Sequence, residues 1–589
     1  MQNTFASLRA AWLTAQRAGL RRVLRRLERA ARLQVLDPTL GAYLYRSQSF
    51  DAEQTLESQQ YELLKHLARL RLSSPVARKW NWQDETLTLL NQEPFSLKLP
   101  VNWRSALVDD PLWAFRLHSW EWAWPTLGDK SCRDKVFTLW QDWVNQVPIG
   151  RGPAWQPYPT SRRLTVWSAA WHLFNGESAL AAAIAQHAAY LADHLERDLD
   201  NNHLIANAKA LAWVGLLFPD VPQAQKWCET GLNLLWSALD AQVQDDGGHV
   251  ENASSYHLAV WLDGLETAML CKASGQPVPA RVWDVLEKMG HYALALRRPD
   301  GRLPLLNDSI QDEPLPVETI FDLAAEAFDQ SAFAWASEDT KASDPTLGSQ
   351  AFEDSGYAVL RSGVGSHDTY VIFDAGNLGP HHCPGHGHAD ALSIEMWSGG
   401  EPLIVDPGVY HYAKGRWRDY FRGAAAHSTA TVDGLDQSSF TGPFRVGRMA
   451  HGRFISIDVE SETPTVIGEH DGYTRLRDPV IHRRRLCLHD PKHLEIVDTF
   501  SGSVQHRVDI RFHLSPCETK VLDQQRVEAT YPGGVRLLIT VENPEVTVNV
   551  EKGWASRTWY RKETCPVLKF SFEDRLPKKV TTHLRRLSK

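Results

Sequence analysis

Four histidines fall within eight residues in His381-His382-Cys383-Pro384-Gly385-His386-Gly387-His388, and Ala389-Asp390 follows. Further along, Asp406 sits in Val405-Asp406-Pro407-Gly408 and His427 in Ala426-His427-Ser428-Thr429. Two imidazoles and a carboxylate from neighbouring strands or loops form a borderline-soft donor set, which suits a divalent ion, most simply zinc. On extended backbone His386 and His388 project to the same side. Either both bind one ion, or His388 binds it while His386 faces a cleft and is left for acid-base chemistry.

Two further clusters lie at helix starts. Asn201-Asn202-His203 precedes the helical pattern Leu204-Ile-Ala-Asn-Ala-Lys-Ala-Leu211. An Asn there is commonly an N-cap, a reading that suits Asn201. Two amides and an imidazole at one helix N-terminus can also hydrogen-bond a carboxylate, where the helix end favours negative charge. The other cluster is Glu251-Asn252-Ala-Ser254-Ser255-Tyr256-His257. A tyrosine with its ordinary pKa of about 10 is a poor base at neutral pH. Beside a helix N-terminus and a histidine or metal its phenolate becomes more accessible. Taken alone, Tyr256 reads as a packed aromatic.

These clusters need a scaffold that brings distant segments together. At 589 residues the chain is too long for one ordinary core, so two or three domains are expected. A hydrophobic content of 43% and a charged content of 23% are those of a globular protein. The net charge of -8 gives no general basic field, so nucleic acid is not an expected partner. Most of the 23 tryptophans are expected to fill helical cores, with some left as platforms for sugar rings. The seven cysteines are dispersed without close pairs, which points to reduced thiols and a cytoplasmic setting. Cys383 alone lies near the proposed chemistry, as a bystander rather than a ligand.

Residues 1–50 form a basic N-terminal segment. Arg9, Arg17, Arg21, Arg22, Arg25, Arg26, Arg29 and Arg32 interleave with Leu13, Leu20, Val23, Leu24 and Leu27 at roughly helical spacing. No export signal is visible, and no run of apolar residues is long enough to span a bilayer. Such a helix lies on an anionic membrane, docks on a partner, or packs on its own domain with solvated arginines.

Residues 51–330 read as helical, with helices near 178–195, 204–217, 222–240, 254–273 and 279–296 separated by Asp-, Asn-, Gly- and Pro-rich connections. Successive helical hairpins without an exact repeat suggest an (α/α) toroid whose loops converge on a cleft. Residues 331–351, rich in Ser, Asp, Ala and Thr, read as a linker. Over 352–589 the hydrophobic period becomes two, for instance in Tyr370-Val-Ile-Phe-Asp374 and Val508-Asp-Ile-Arg-Phe-His513. Trp397-Ser-Gly-Gly-Glu401 is a hairpin signal. The expected fold is multidomain α+β, an N-terminal (α/α) toroid followed by a C-terminal antiparallel β-sandwich.

At these residues the chain resembles the heparinase II/III family of polysaccharide lyases, related to the oligoalginate lyases. The matches are Asn202-His203, Ser254-x-Tyr256-His257, Gly385-His386-Gly387-His388-Ala389-Asp390, Val405-Asp406-Pro407-Gly408, and Phe421-Arg422 before Ala426-His427-Ser428-Thr429. Asp109-Asp-Pro-Leu-Trp-Ala-Phe-Arg-Leu-His118 also resembles an N-terminal segment of such proteins. Family members often carry Asn where this chain has Ser428. The resemblance implies β-elimination at a uronic acid of an acidic polysaccharide. Asn202 and His203 would neutralise the substrate carboxylate, so that an enolate-like intermediate can form. Tyr256 is favoured as the acid that protonates O4, with the base role also open to it, and His386 is a base or a second neutraliser. His388, Asp406 and His427 would hold a structural divalent ion, the zinc of the donor-set argument. Arg116, His118, His257, Tyr410, Tyr412, Tyr420 and Arg422 are candidates for binding an anionic glycan. Without a visible export signal, a bacterial capsular or exopolysaccharide suits the chain better than secreted scavenging of heparin. Two alternatives are a glycoside hydrolase using Asp245, Asp246 and Glu251, and a non-catalytic protein that guides a polysaccharide during assembly.

Overall fold

The computed structural model describes residues 2–45, 56–73, 80–81, 84–104, 110–338, 347–363 and 369–587. The basic segment folds as α1 (Gln2–Ala31), broken at Gly19 (φ 76°), and α2 (Asp37–Leu44). The helical domain follows with α3 (Ser58–Leu70), α4 (Pro111–Ser119), α5 (Arg133–Gln146), α6 (Pro157–Phe174), α7 (Ser178–Asp193), α8 (Asn202–Leu217), α9 (Ala224–Gln242), α10 (Ser254–Ala273), α11 (Ala280–Leu296), α12 (Val317–Phe328) and α13 (Ser331–Ser337). The expected linker at 331–351 is therefore smaller. Its first seven residues continue the helical domain as α13, and Gln350–Phe352 is already a strand; residues 339–346 lie outside the described residues. Phe333 and Ala336 explain the difference: both are buried against the helical core, which a polar composition count overlooks.

Helices α6, α8 and α10 are buried along nearly their whole length, while α5, α9 and α11 bury one stripe. An inner ring of helices inside an outer ring follows from that division of apolar residues. Among the described residues fifteen tryptophans are buried, so core filling is their main use here. Arg163 is enclosed by Trp143, Trp155 and Trp167, with its guanidinium carbon 4.8 to 5.7 Å from their ring centres. It donates to the Ala154 carbonyl (2.7 Å) and has no carboxylate partner among the described residues.

Among the described residues the strands of the β-domain pair antiparallel, in sheets of eight, five, four and two strands. The five-stranded sheet runs Gln350–Phe352, Tyr357–Ser362, Thr369–Asp374, Ile394–Ser398 and Glu401–Ile404 in sequential order. Gly399 and Gly400 take φ of 67° and 83° in the hairpin between its last two strands, the left-handed turn their types favour. Tyr357, Val359, Tyr370 and Ile372 face the helical core, and Ala358, Leu360, Val371 and Phe373 face the β core. Burial on both faces makes these strands read as continuous apolar runs. One sheet thus cements the toroid to the sandwich.

Gly215 of α8 and Gly231 of α9 permit these two helices to approach closely. A Cβ on Gly231 would lie 2.4 Å from the Ala212 nitrogen and 2.6 Å from the Ala208 carbonyl oxygen, backbone atoms that cannot swing aside. Gly231→Ala should therefore cost about 1–3 kcal/mol and lower the thermal midpoint. Gly348→Ala, with open space around the added carbon, should change stability by no more than about 0.5 kcal/mol. Equal midpoints for the two variants would contradict this packing.

Candidate active site

Asn201 caps α8, its side-chain oxygen accepting from the His203 amide at 3.1 Å, while its amide nitrogen donates to Glu251 at 3.2 Å. Asn202 is the first helical residue and is 5% exposed, with a side-chain oxygen that has no partner. The His203 ring stacks on Tyr158 at 4.2 Å and its Nδ1 lies 3.1 Å from Glu196. Glu196 is in turn held by the Asn207 side chain, one helical turn further along α8. Tyr158 also lines a cavity of about 110 Å³ shared with Arg116, Glu121, Arg162, Tyr256, Asp308, Glu313, Tyr412 and Trp559.

Tyr256 enters this cavity from the first turn of α10, after Asn252 reverses the chain with φ 54°. Its hydroxyl is 2.7 Å from that of Tyr412, which belongs to the β-domain. The His386 ring lies 4.2 Å from the Tyr256 ring. The cluster therefore spans the two halves of the chain. Burial, with the Asp308 charge nearby, pushes the Tyr256 phenol well above its ordinary pKa. At neutral pH it is a proton donor.

Asp308, absent from the sequence-derived set, organises the cluster. Its carboxylate accepts from His386 Nδ1 and His388 Nε2, each at 2.9 Å, and from both terminal nitrogens of Arg418, one of them at 2.8 Å. Burial opposes its charge, yet Arg418 and the two histidines hold the carboxyl well below the usual range. A charged carboxylate can only accept, so His386 carries its proton on Nδ1 and keeps the Nε2 lone pair available as a base. Asn307, at φ 55°, donates to the Asn252 carbonyl (2.8 Å) and accepts from the His388 amide (2.7 Å). Asn307-Asp308 thereby clasps the Tyr256 loop and the histidine loop together. In sequence the pair is one more polar step in a loop, with no spacing to mark it; only its partners give it meaning.

The same deduction applies to His388. With Nε2–H given to Asp308, its Nδ1 lone pair is buried and unsatisfied. It points to a group in which ligand atoms of His388, Asp390 and His427 lie within 4.8 Å of one another. Asp406 touches this group at His427, with its oxygen 2.8 Å from Nδ1. Burial, together with Asp406, pushes the Asp390 carboxyl up to about 7, whereas Asp406 beside it takes His427 up to about 9 against the effect of burial. Asp374 and Glu395, also buried nearby, are raised as well. An excess of buried carboxylates around an unfilled imidazole lone pair fits a divalent cation.

Two family models match the chain, one described as Heparinase II/III N-terminus over residues 13–335 and one as Heparinase II/III-like, C-terminal, over 344–579. The chain belongs to the heparinase II/III family. Among curated relatives, a heparin-sulfate lyase of Bacteroides stercoris is 23% identical, covering 80% of this chain and 74% of its own. One of Pedobacter heparinus is 24% identical, with 80% and 73% covered. Among solved structures, a heparinase III superposes with a TM-score of 0.72 at 19% identity over 93% of this chain and 89% of its own. A heparan sulfate lyase from Pedobacter heparinus gives 0.62 at 20% identity over 93% and 86%. The toroid-plus-sandwich fold is thus that of heparinase III, and the protein is a polysaccharide lyase.

Within this heparinase II/III framework the remaining residues separate by position. Arg116 and Tyr412 line the cavity, Arg116 already paired with Glu121 (3.2 Å) and with Glu313. His118 does not face it: 3% exposed, it accepts the Trp143 indole proton at 3.1 Å. His257, 2% exposed, points the other way along α10 to the Met289 carbonyl at 3.0 Å. Arg422, 1% exposed, binds the carbonyls of Gly387, Gly442 and Pro443, which steadies the histidine loop and leaves nothing for a glycan. Tyr420 accepts from the Trp554 amide (3.0 Å), and Tyr410 lies under Lys562 (4.3 Å) within the β-domain. For His118, His257 and Arg422 the cause is shared: a buried polar head fastens the core, and only packing tells this from a ligand contact.

Burial holds His118, His249 and His513 down to about 3 and His257 to about 4, against an ordinary 6.5. The unfolded chain then takes up these protons first. Their contribution to stability is complete above pH 6.5 and drains as pH falls toward 4. His427, raised to about 9, works in the opposite sense above pH 6.5, and the raised Asp374, Asp390 and Glu395 carboxyls do so below about pH 7, but the neutral rings of His172, His187, His470 and His482, also lowered by burial, make the histidines the larger group. Thermal midpoints should therefore be clearly lower at pH 5 than at pH 7.5; an equal or higher midpoint at pH 5 would contradict the neutral burial of these rings.

Proposed function

We propose that the protein cleaves a uronate-containing acidic polysaccharide by β-elimination, with His386 as base and Tyr256 as acid. The observation that carries the reading is the contact of the two rings at 4.2 Å, with Asp308 fixing the His386 tautomer. His386 Nε2 takes the C5 proton, the C5–H electrons form the C4=C5 double bond, and the C4–O4 bond breaks. O4 takes its proton from the Tyr256 hydroxyl. The proton on His386 then returns to the Tyr256 phenolate beside it, so the enzyme is restored and no water is consumed. The Asn202 amide and the His203 imidazole hydrogen-bond the substrate carboxylate, which lowers the cost of the developing enolate.

The activity for which the relatives are named puts heparin-class polysaccharides first among substrates to test. The cavity favours a weakly sulfated or unsulfated polyuronate such as a bacterial capsular or exopolysaccharide. Its arginines are already neutralised, Arg116 by Glu121 and Glu313, Arg162 by Glu121 and Asp263. A densely sulfated chain needs free cations. The same pairing counts against a hydrolase, because Glu121 and Glu313 are committed to arginines, Asp246 to Ser355, and Glu251 to Asn201. All seven cysteines are unpaired, which fits a reducing cytoplasmic setting.

We assign the cation to His388, Asp390 and His427, with Asp406 on His427 Nδ1 and with His427 Nε2 giving up its proton and its contact to the Phe421 carbonyl (3.2 Å) on binding, and zinc suits these donors. When bound it would neutralise the buried carboxylates and clamp the histidine loop. Chelation should release about one metal equivalent and lower the thermal midpoint; retention of the full midpoint after metal removal would refute a structural ion.

A panel of acidic polysaccharides should show new ultraviolet absorbance from the conjugated double bond for at least one uronate polymer. Tyr256→Phe should reduce turnover by about 10²–10⁴-fold while glycan binding persists. Cleavage without absorbance would indicate hydrolysis instead.

A further inference from the structure

The N-terminal helix packs inside out. Arg22 reaches Asp200 (2.6 Å), and Arg26 and Arg29 grip Asp198, Arg29 at 2.7 Å, all on the loop that leads into Asn201-Asn202-His203. The inward face of α1 is thus made of arginines. Leu20, Leu24 and Leu27, at spacings of four and three, form the opposite face and are 74%, 55% and 62% exposed. Three ion pairs hold this orientation, so the leucines cannot turn inward. Val35, Leu40, Tyr43 and Leu44 of the following turns are exposed as well.

The same helix also borders a basic groove. Arg25, Arg197 and Lys226 line a groove of about 570 Å³ that Leu44 also borders, and none of the three has an acidic partner among the described residues. The acids nearest them are engaged elsewhere: Asp198 with Arg26 and Arg29, Glu28 with Arg32, Asp193 with the Tyr45 hydroxyl. Arg197 is lowered by partial burial and by repulsion from Arg25, as expected for cations gathered without an anion. Residues 1–45 hold eight arginines against Glu28 and Asp37, a formal charge of +6 in a chain whose total is -8.

We propose that this face seats the protein on an anionic phospholipid bilayer, with the leucines in the acyl boundary and lipid phosphates in the Arg25–Arg197–Lys226 groove. An apolar stripe flanked by cations is the pattern of helices that lie in a membrane interface, and no helix among the described residues is long and apolar enough to cross one. Symmetric pairing with a second copy would bring two such basic faces together and is opposed by charge. The attachment goes beyond the lyase reading and stands or falls separately from it. It would hold the Asn202 loop close to the lipid surface.

The test is sedimentation of the full chain with vesicles of phosphatidylcholine alone and vesicles containing phosphatidylglycerol. Binding is expected to the anionic vesicles only, and it should weaken as salt rises. Leu24→Gln with Leu27→Gln should lower the bound-to-free ratio about tenfold or more, with the thermal midpoint and cleavage of soluble polysaccharide unchanged. Arg25→Glu with Lys226→Glu, on exposed side chains, gives an independent variant and should abolish the preference for anionic lipid. Absence of vesicle binding, or equal binding by all three proteins, would overturn the proposal. So would a dimer in light scattering that the leucine variant dissolves while vesicles have no effect, since the face would then be a protein interface.

Discussion

The arrangement depends on one buried carboxylate. Asp308 accepts from two histidines and an arginine at once, and each of these donors comes from the β-domain while Asp308 itself belongs to the end of the helical domain. A buried ion of this kind is costly to leave unpaired, so the domains are held in the register that satisfies it. The same bonds set both imidazole tautomers. His386 is left with its Nε2 lone pair, and His388 with a buried Nδ1 that has no partner among the described residues. The proposed base and the proposed cation ligand are therefore oriented by one and the same side chain.

Around this point the structure separates holding from reacting. Arg418 and Arg422 are fully buried and serve the loop that carries the histidines, and Arg163 serves the tryptophan core. The five-stranded sheet, buried on both faces, joins the halves through apolar contact. Rigid support on both sides lets Tyr256, from a helix, meet Tyr412 and His386, from loops of the other half, without lengthy ordering on binding. Asn202 reaches the same region less directly, through Asn201–Glu251 and through the stacking of His203 on Tyr158.

Much of this was legible in the chain. Helices near 204–217, 254–273 and 279–296 appear at α8, α10 and α11 within a residue or two, because apolar spacing and Asn, Ser and Pro boundaries mark them strongly. The switch to period two announced the sandwich. What misled was local composition, since a Ser- and Ala-rich stretch at 331–337 proved to be a packed helix; composition also left open that the N-terminal helix turns Arg22, Arg26 and Arg29 inward and its leucines outward. In both cases the deciding partner lies far away in sequence, Asp198 and Asp200 for the arginines, the core around Trp261 for Phe333.

By itself the sequence determined the elements, the order of the two halves and the residue types available for proton transfer and metal binding, since periodicity, capping and side-chain chemistry are local properties. Tertiary structure alone decided which polar groups react and which fasten. His118, His257 and Arg422 spend their hydrogen bonds on backbone or core partners, whereas Asp308, unmarked in its loop, became the residue on which the histidines turn. A side chain's role is set by the partners that burial assigns to its few donors and acceptors, and those partners come from segments up to hundreds of residues apart.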